Sequence, residues 1–469
     1  MTNLPIIHMP LNEIYPDDSE SDDSQELYDR NRGAFVDTVG CQIPIAMIPY
    51  KKYKNRQKNC GKRAVFLKKV DDGYIADNTF PNLMAALSGK NMSSISNSCY
   101  KRMDVCNEFL IWNQFKNSGY VTAYGEDYLR LPDTFSKEYT YNNVPTDHYL
   151  RPFYLHGEHE LFNRSLVCTG KVTSGQHLLD YAYDFALTYR FSMFFGVFWM
   201  NTFSHNVNSY PEEADKMFEG FLNRLTYTGI LENTFIIFFS DHGIRFGEYR
   251  LDPASYYEER NPAFFMWAPV RFQAHYPLLF KAAAVNQFRL ITPYDLYNTL
   301  VNINTLSELR NYTEGLSEAC PLCHSIFREI SGNRTCADGS IHPKWCPCHK
   351  LYPLDSQDME GMKSVVYAST KIKAMIKTIK TDRCWGCLKL AIKNVIRIHF
   401  YYNYLSLYYV VAFSMTPGNI TYEAVVSKKG PHLELVGDIS VISVYRGLGK
   451  CAPNQRDRLF CVCKKKENC

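Results

Sequence analysis

The residues best suited to chemistry stand where an apolar run ends. Phe235-Ile-Ile-Phe-Phe passes directly into Ser240-Asp241-His242-Gly243. A short apolar run closed by a turn signal reads as a buried strand, and open α/β sheets place their sites at the carboxyl ends of strands. Asp241 offers a hard oxygen and His242 an imidazole nitrogen, a pair suited to Zn²⁺, Mn²⁺ or Fe. Gly243 lets the backbone turn sharply away. The plain alternative is a strand end and a turn with no ligand. A second candidate is Asn78-Thr79-Phe80-Pro81-Asn82. Pro81 suits a first helical turn. Thr79 would then stand at a helix N-terminus, where free N–H groups favour an anion, or act as a simple N-cap.

The elements that must position these residues follow from hydrophobic periodicity. Residues 81–87 read as the start of a helix and residues 121–124 as a short strand. Residues 191–200 form a strongly apolar strand, and residues 234–239 the next one. Between them Met217, Phe218, Phe221, Leu222 and Leu225 recur at helical spacing, giving an amphipathic helix over 212–225. Strand–helix–strand alternation predicts parallel strands joined by right-handed crossovers. A further helix starts near Asp295. The expected fold class is α/β, a mostly parallel sheet between helices over residues 63–310. A disordered acidic tail (1–32) and a cysteine segment (33–62) precede it. Residues 311–469 are expected to form a small cysteine-rich α+β subdomain, with a cysteine-dense linker over 311–360. Strands are expected there at 401–413 and 420–426, followed by 433–444.

Several short strings resemble the DUF229 family of animal proteins, part of the alkaline phosphatase and sulfatase superfamily. They are Phe238-Phe-Ser-Asp-His-Gly-Ile-Arg-Phe-Gly-Glu248, Gly119-Tyr-Val-Thr122 with Glu126-Asp127, Pro145-Thr-Asp-His-Tyr-Leu-Arg-Pro152, Asn78-Thr-Phe-Pro-Asn-Leu83, Arg334-Thr-Cys336 and Trp345-Cys346 with Cys348. In this order they span roughly residues 33–465. The resemblance implies an alkaline-phosphatase-like core and cleavage of phosphate or sulfate esters with one or two divalent metals, zinc or manganese. It gives Thr79 the part of nucleophile and Asn82 that of steadying the phosphoryl oxygen. It makes Asp241 and His242 ligands of the metal beside Thr79. For the other metal it places His205 in register, with Asn201 where an acid is expected. Thr79 in place of a Cys-x-Pro-x-Arg signature argues against a formylglycine-type sulfatase and leans toward phosphate esters.

The same resemblance exposes losses. The family's first metal ligand is an Asp after an early strand, and no such string exists here. Residues 60–70 pass almost directly into Asp77-Asn78-Thr79. Asp37 is the only substitute at a tolerable distance, since Asp71 and Asp72 are too close to Thr79. No clear distal His follows, because His275 precedes Tyr-Pro and His324 lies among cysteines. Glu258-Glu259 reads as a surface carboxylate pair. Three readings therefore stand: a hydrolase with an incomplete metal site, an inactive binding glycoprotein, and an incomplete gene model of an active enzyme.

Composition bounds the rest. The chain has 469 residues and a net charge of +4, too small to imply nucleic acid. It contains sixteen cysteines, eleven of them from Cys320 onward. Their close pairs could be zinc knuckles, but disulfides are the preferred reading. Five Asn-x-Ser/Thr sequons stand at Asn91, Asn163, Asn311, Asn333 and Asn419. Cysteines and sequons together point to the secretory pathway or the extracellular space. The first residues do not read as a signal peptide, and no run of about 18 apolar residues predicts a membrane span.

Overall fold

A computed structural model describes residues 34–37, 39, 41–44, 78–99, 106–129, 144–157, 159–162, 166–169, 172–203, 205, 214–306, 317–403, 406–444, 446–467 and 469. The acidic tail and most of the first cysteine segment, Cys60 included, lie outside these residues.

The first half is α/β. Helix α1 (Thr79–Ser88) ends at Gly89, whose φ of 65° closes the last turn with an N–H bond to the Ala85 carbonyl. Its Leu83, Met84 and Leu87 enter the main core. Strand β1 (Val121–Glu126) is the centre of a parallel trio, with β2 (His148–Tyr149) on one side and β3 (Phe194–Trp199) on the other. Helix α2 (Ser174–Thr188) leads into β3. Helix α3 (Asp215–Tyr227) then carries the chain to β4 (Ile236–Phe239), so the predicted strand–helix–strand order is present. β4 does not pair with β3, however. Its partner is β5 (Phe264–Trp267), and that pair is antiparallel.

Helix α4 (Pro293–Thr305) shows why the sequence starts a helix there. Thr292 and Asp295 form a capping box, with Pro293 at the first position. Asp295 also takes a bond from Arg334 at 2.8 Å, so it serves packing and not chemistry. The cysteine-dense stretch beyond α4 is folded against the core. Ile326, Phe327 and Ile330 are buried in it, and Asn298 donates to the Cys323 carbonyl at 2.8 Å.

The C-terminal part is a six-stranded antiparallel sheet under one long helix, α5 (Met359–Thr378). The strands are β6 (Tyr352–Leu354), β7 (Ala391–Asn403), β8 (Ser406–Thr416), β9 (Ile420–Lys429), β10 (His432–Leu435) and β11 (Ser440–Val441). Val365, Ala368 and Ile372 of α5 pack on Val411 and Phe413 of β8. The close cysteine pairs are disulfides. They join Cys41–Cys348, Cys99–Cys106, Cys320–Cys323, Cys336–Cys346, Cys384–Cys469, Cys387–Cys461 and Cys451–Cys463. Cys168 is the one described cysteine outside a disulfide. Among the described residues no helix is long and apolar enough to cross a membrane.

Candidate metal and ester site

The site is built from the end of β4. Ser240 N–H donates to the Ala263 carbonyl at 2.8 Å, keeping the chain beside β5 one residue past the strand. Ser240 Oγ then donates to the His242 carbonyl at 2.9 Å, and His242 N–H donates to Asp241 Oδ1 at 2.9 Å. These bonds fold the loop onto itself. Gly243 N–H donates to the Glu259 carbonyl at 3.1 Å. A Cβ on Gly243 would lie 2.2 Å from the Glu258 carbonyl oxygen. Close approach by the helix Ser255–Arg260 thus demands glycine, where the sequence suggested a sharp turn.

His242 Nδ1 lies 2.8 Å from the Gly243 carbonyl. A carbonyl only accepts, so in neutral His242 Nδ1 carries the proton and Nε2 presents a lone pair. That Nε2 stands 3.3 Å from Asp241 Oδ2. Oδ2 is buried and has no hydrogen bond. In that tautomer the two atoms are both acceptors at a spacing that a metal ion between them would suit. Donors at ~2.0–2.2 Å from a tetrahedral ion sit about 3.3 Å apart. Asp241 and His242 fit that geometry.

Asn78, Thr79, Asn201, His205, Asp241 and His242 all line one cavity of about 2270 Å³. Five of the six sequence candidates therefore line its wall. Asn82 is not in the lining. It is buried within α1, and its Nδ2 donates to the Asn78 carbonyl at 2.8 Å. Thr79 is the first residue of α1, while the preceding position belongs to Asn78. Asn78 has φ 77° and ψ 165°, a conformation that is costly for any residue with a side chain. Arg245 Nη1 donates to its Oδ1.

The acid position is filled differently from a ligand. Asn201 Nδ2 donates to Glu126 Oε1 at 2.9 Å, and its Oδ1 accepts from Trp199 Nε1 at 3.1 Å. Its amide is thereby turned to Glu126. His205 is exposed. Asp127 accepts from the Asn201 N–H at 2.6 Å and from the Thr202 hydroxyl. Burial pushes its carboxyl up to about 7, against those hydrogen bonds. Asp37 ends a strand paired with Gln42–Pro44. Among the described residues only two groups of three His, Cys, Asp or Glu come close enough to hold an ion. Both are cysteine groups whose members are in disulfides. Among the described residues no third His, Cys, Asp or Glu completes such a group with Asp241 and His242.

Sequence reasoning missed Arg245 as the support of Asn78. Its signal was a guanidinium three residues past an Asp-His pair. It also misread Glu259, which is no surface group. Glu259 is buried, with Arg250 and Arg260 each 2.7 Å away.

Fold and site define an α/β protein with a parallel sheet, acid and imidazole donors at a strand end, and a disulfide-rich C-terminal sheet. The chain belongs to the DUF229 family: that family's model, described as a protein of unknown function, matches residues 72–396. No curated protein matches the chain. Two solved structures are similar to it. One is a Bacteroides thetaiotaomicron protein described in the metabolism of multiple glycosaminoglycans and tagged 4S-sulf. It has 14% identity and a TM-score of 0.35, with 80% of each chain covered. The other is a candidate sulfatase of Bacteroides fragilis, with 11% identity and a TM-score of 0.34, again over 80% of each chain.

Proposed function

We propose that this chain has the framework of a metal-dependent phosphate- or sulfate-ester hydrolase, with an incomplete metal site. The observation that carries the reading is the facing pair Asp241 Oδ2 and His242 Nε2, 3.3 Å apart. These two residues would hold one divalent cation, zinc or manganese. Bound there, such an ion supplies a Lewis acid for an ester oxygen and lowers the pKa of a nearby hydroxyl. Thr79 is the nucleophile in this reading. It opens α1 and lines the same cavity, where first-turn N–H groups favour an anion. Asn82 fixes the turn that presents Thr79. His205 is a rim ligand for a second ion, and Asn201 a weak one at best, because Glu126 holds its amide. Threonine at position 79 favours phosphate over sulfate esters.

The same engagement of Asn201 favours a second reading, a secreted glycoprotein that keeps the framework and binds without turnover. Seven disulfides support a secretory location. The sequons at Asn91, Asn333 and Asn419 are exposed, as glycosylation requires. Asn163 and Asn311 lie outside the described residues.

Elemental analysis of the purified full chain, beside Asp241→Ala and His242→Ala, tests the proposal. Near-stoichiometric zinc or manganese, reduced by roughly tenfold or more in each folded variant, supports the metal site. Turnover of phosphodiesters or phosphomonoesters then separates hydrolase from binding protein. A folded, metal-free wild type overturns the hydrolase reading.

A further inference from the structure

The net charge of +4 conceals an uneven distribution. Residues 371–393 and 446–467, about a tenth of the chain, hold fourteen Lys and Arg against three acids, Asp382, Asp457 and Glu467. These two segments therefore carry a net +11, and the remainder of the chain −7. All fourteen basic residues are exposed. Charge gathered in this way attracts and steers an oppositely charged partner.

The fold brings the two segments together. Trp385–Cys387 pairs antiparallel with Cys463–Lys465, so Gly386 faces Lys464 and Trp385 faces Lys465. Lys466 N–H donates to the Cys384 carbonyl at 2.9 Å, and its Nζ to the Arg383 carbonyl at 3.1 Å. Cys384–Cys469 and Cys387–Cys461 tie the C-terminal segment to the first, and Cys451–Cys463 closes it on itself. Ile379, just past α5, packs on Cys451 and Cys461, so Lys377 and Lys380 belong to the same end of the subdomain. Little of this charge is neutralised internally. Among the described residues one of the fourteen, Arg456, has a carboxylate partner, Asp438 at 2.7 Å. Asp457 takes its bond from the Asn454 amide, at 2.8 Å.

Three kinds of polyanion answer such a face: nucleic acid, an anionic lipid surface and an acidic polysaccharide. Seven disulfides suit an oxidising compartment, which is not where nucleic acid is found. Anionic lipids that draw basic segments belong to the cytoplasmic leaflet. We propose that this face binds an acidic polysaccharide, with its Lys and Arg side chains pairing with sulfate or carboxylate groups along the sugar chain. Trp385, exposed opposite Lys465, offers an apolar ring beside the cations. Arg446, Arg456 and Arg458 also line the cavity that Asp241 and His242 line, so the face borders that cavity. The inference needs neither metal nor turnover and stands apart from the hydrolase reading.

The test measures binding of the full chain to immobilised heparin by surface plasmon resonance. Lys464→Glu/Lys465→Glu is set beside Lys216→Glu/Lys281→Glu, an equal charge change at exposed lysines outside the two segments. Circular dichroism checks that both variants fold. The first pair is expected to weaken binding by roughly tenfold or more, and the second by less than about twofold. Wild-type binding should fall as salt is added. Equal losses in the two variants overturn the proposal, because net charge alone then explains the binding. A wild type that does not bind heparin overturns it as well. Tighter binding to phosphatidylserine vesicles or duplex DNA than to heparin overturns the choice of a polysaccharide.

Discussion

The strands that carry the candidate site and the C-terminal sheet are assembled on different rules. In the C-terminal sheet β7, β8 and β9 have 13, 11 and 10 residues and pair antiparallel in chain order. Each strand's partner is the next stretch of chain, so Asn403 faces Ser406 and Met415 faces Ile420. β9 is buried along most of its length. The site-bearing strands are shorter, 6 and 4 residues at β3 and β4, mostly half-buried, and belong to separate sheets. Parallel neighbours such as β1 and β3 come from distant segments through crossovers, whereas a hairpin sheet depends only on its own stretch of chain. Three disulfides, Cys384–Cys469, Cys387–Cys461 and Cys451–Cys463, staple the segment just before β7 and the C-terminal tail beside that sheet.

The strongest way to break this contrast is to cut the tie between the two regions. Glu423 on β9 accepts from Arg250 Nη2 at 3.2 Å and Arg260 Nη2 at 3.1 Å, and from Arg397 on β7. Arg250 and Arg260 belong to the segment following Gly243, so the network holds the segment after the Asp241–Gly243 loop against the C-terminal sheet. Burial opposes ionisation of Glu423, but the three guanidinium groups outweigh it and hold the carboxyl well below its usual range. Glu423→Gln would leave three buried guanidinium groups with Glu259 alone. Removing one partner of a buried pair costs about 3–5 kcal/mol, to be read from urea unfolding at pH 7. A depressed carboxyl contributes stability above its unfolded pKa and loses it as pH falls, so wild type and variant should converge in acid. A loss below about 1 kcal/mol would show that the network does not join the regions.

A smaller effect sharpens the comparison from the other side. Gly243→Ala puts a methyl 2.2 Å from the Glu258 carbonyl oxygen, and that neighbour is backbone. Overpacking of this kind costs about 1–3 kcal/mol. The loop should yield before the C-terminal sheet does. Hydrogen exchange should quicken at residues 240–247 and stay slow in β8 and β9. Uniform acceleration across both sheets would mean that they unfold as one unit.

Much of the frame was legible. Helices at 81–87 and 212–225 and strands at 191–200 and 234–239 were placed to within a few residues of α1, α3, β3 and β4, because their periodicities are undiluted. The strand expected at 401–413 falls mostly on β8 (Ser406–Thr416), while β7, which begins at Ala391, went unread. Its register shifts between Ile392 and Asn394 and again between Val395 and Arg397, which breaks the period-two pattern that betrays a strand. Helix α5 went unread because Ser364, Val365, Val366, Ser369 and Thr370 dilute its helical signal. The candidate donors were legible as residue types: Asp241 and His242 announce a donor pair. Their support was not, because Glu259, Arg250 and Glu423 meet only through long-range contacts.

A third effect, read as a slope against pH, concerns Asp127, at the carboxyl end of β1. Its carboxyl is pushed up to about 7 by burial, against hydrogen bonds from Asn201 and Thr202. A raised carboxyl pKa means that the folded state holds a proton the unfolded chain has released. Its contribution to stability is complete below the unfolded value near 3.8 and is lost as pH rises toward 7. Asp127→Asn removes that titration while keeping an oxygen for one donor. The wild-type-minus-variant stability should therefore fall between pH 4 and 7, by no more than about 1.4 kcal/mol per pH unit. This slope is opposite in sign to that of Glu423, so the two regions can be told apart in one set of thermal scans. A flat difference across pH 4–7 would place a charged Asp127 in the fold. The end of β1 would then be more open to water than its full burial implies.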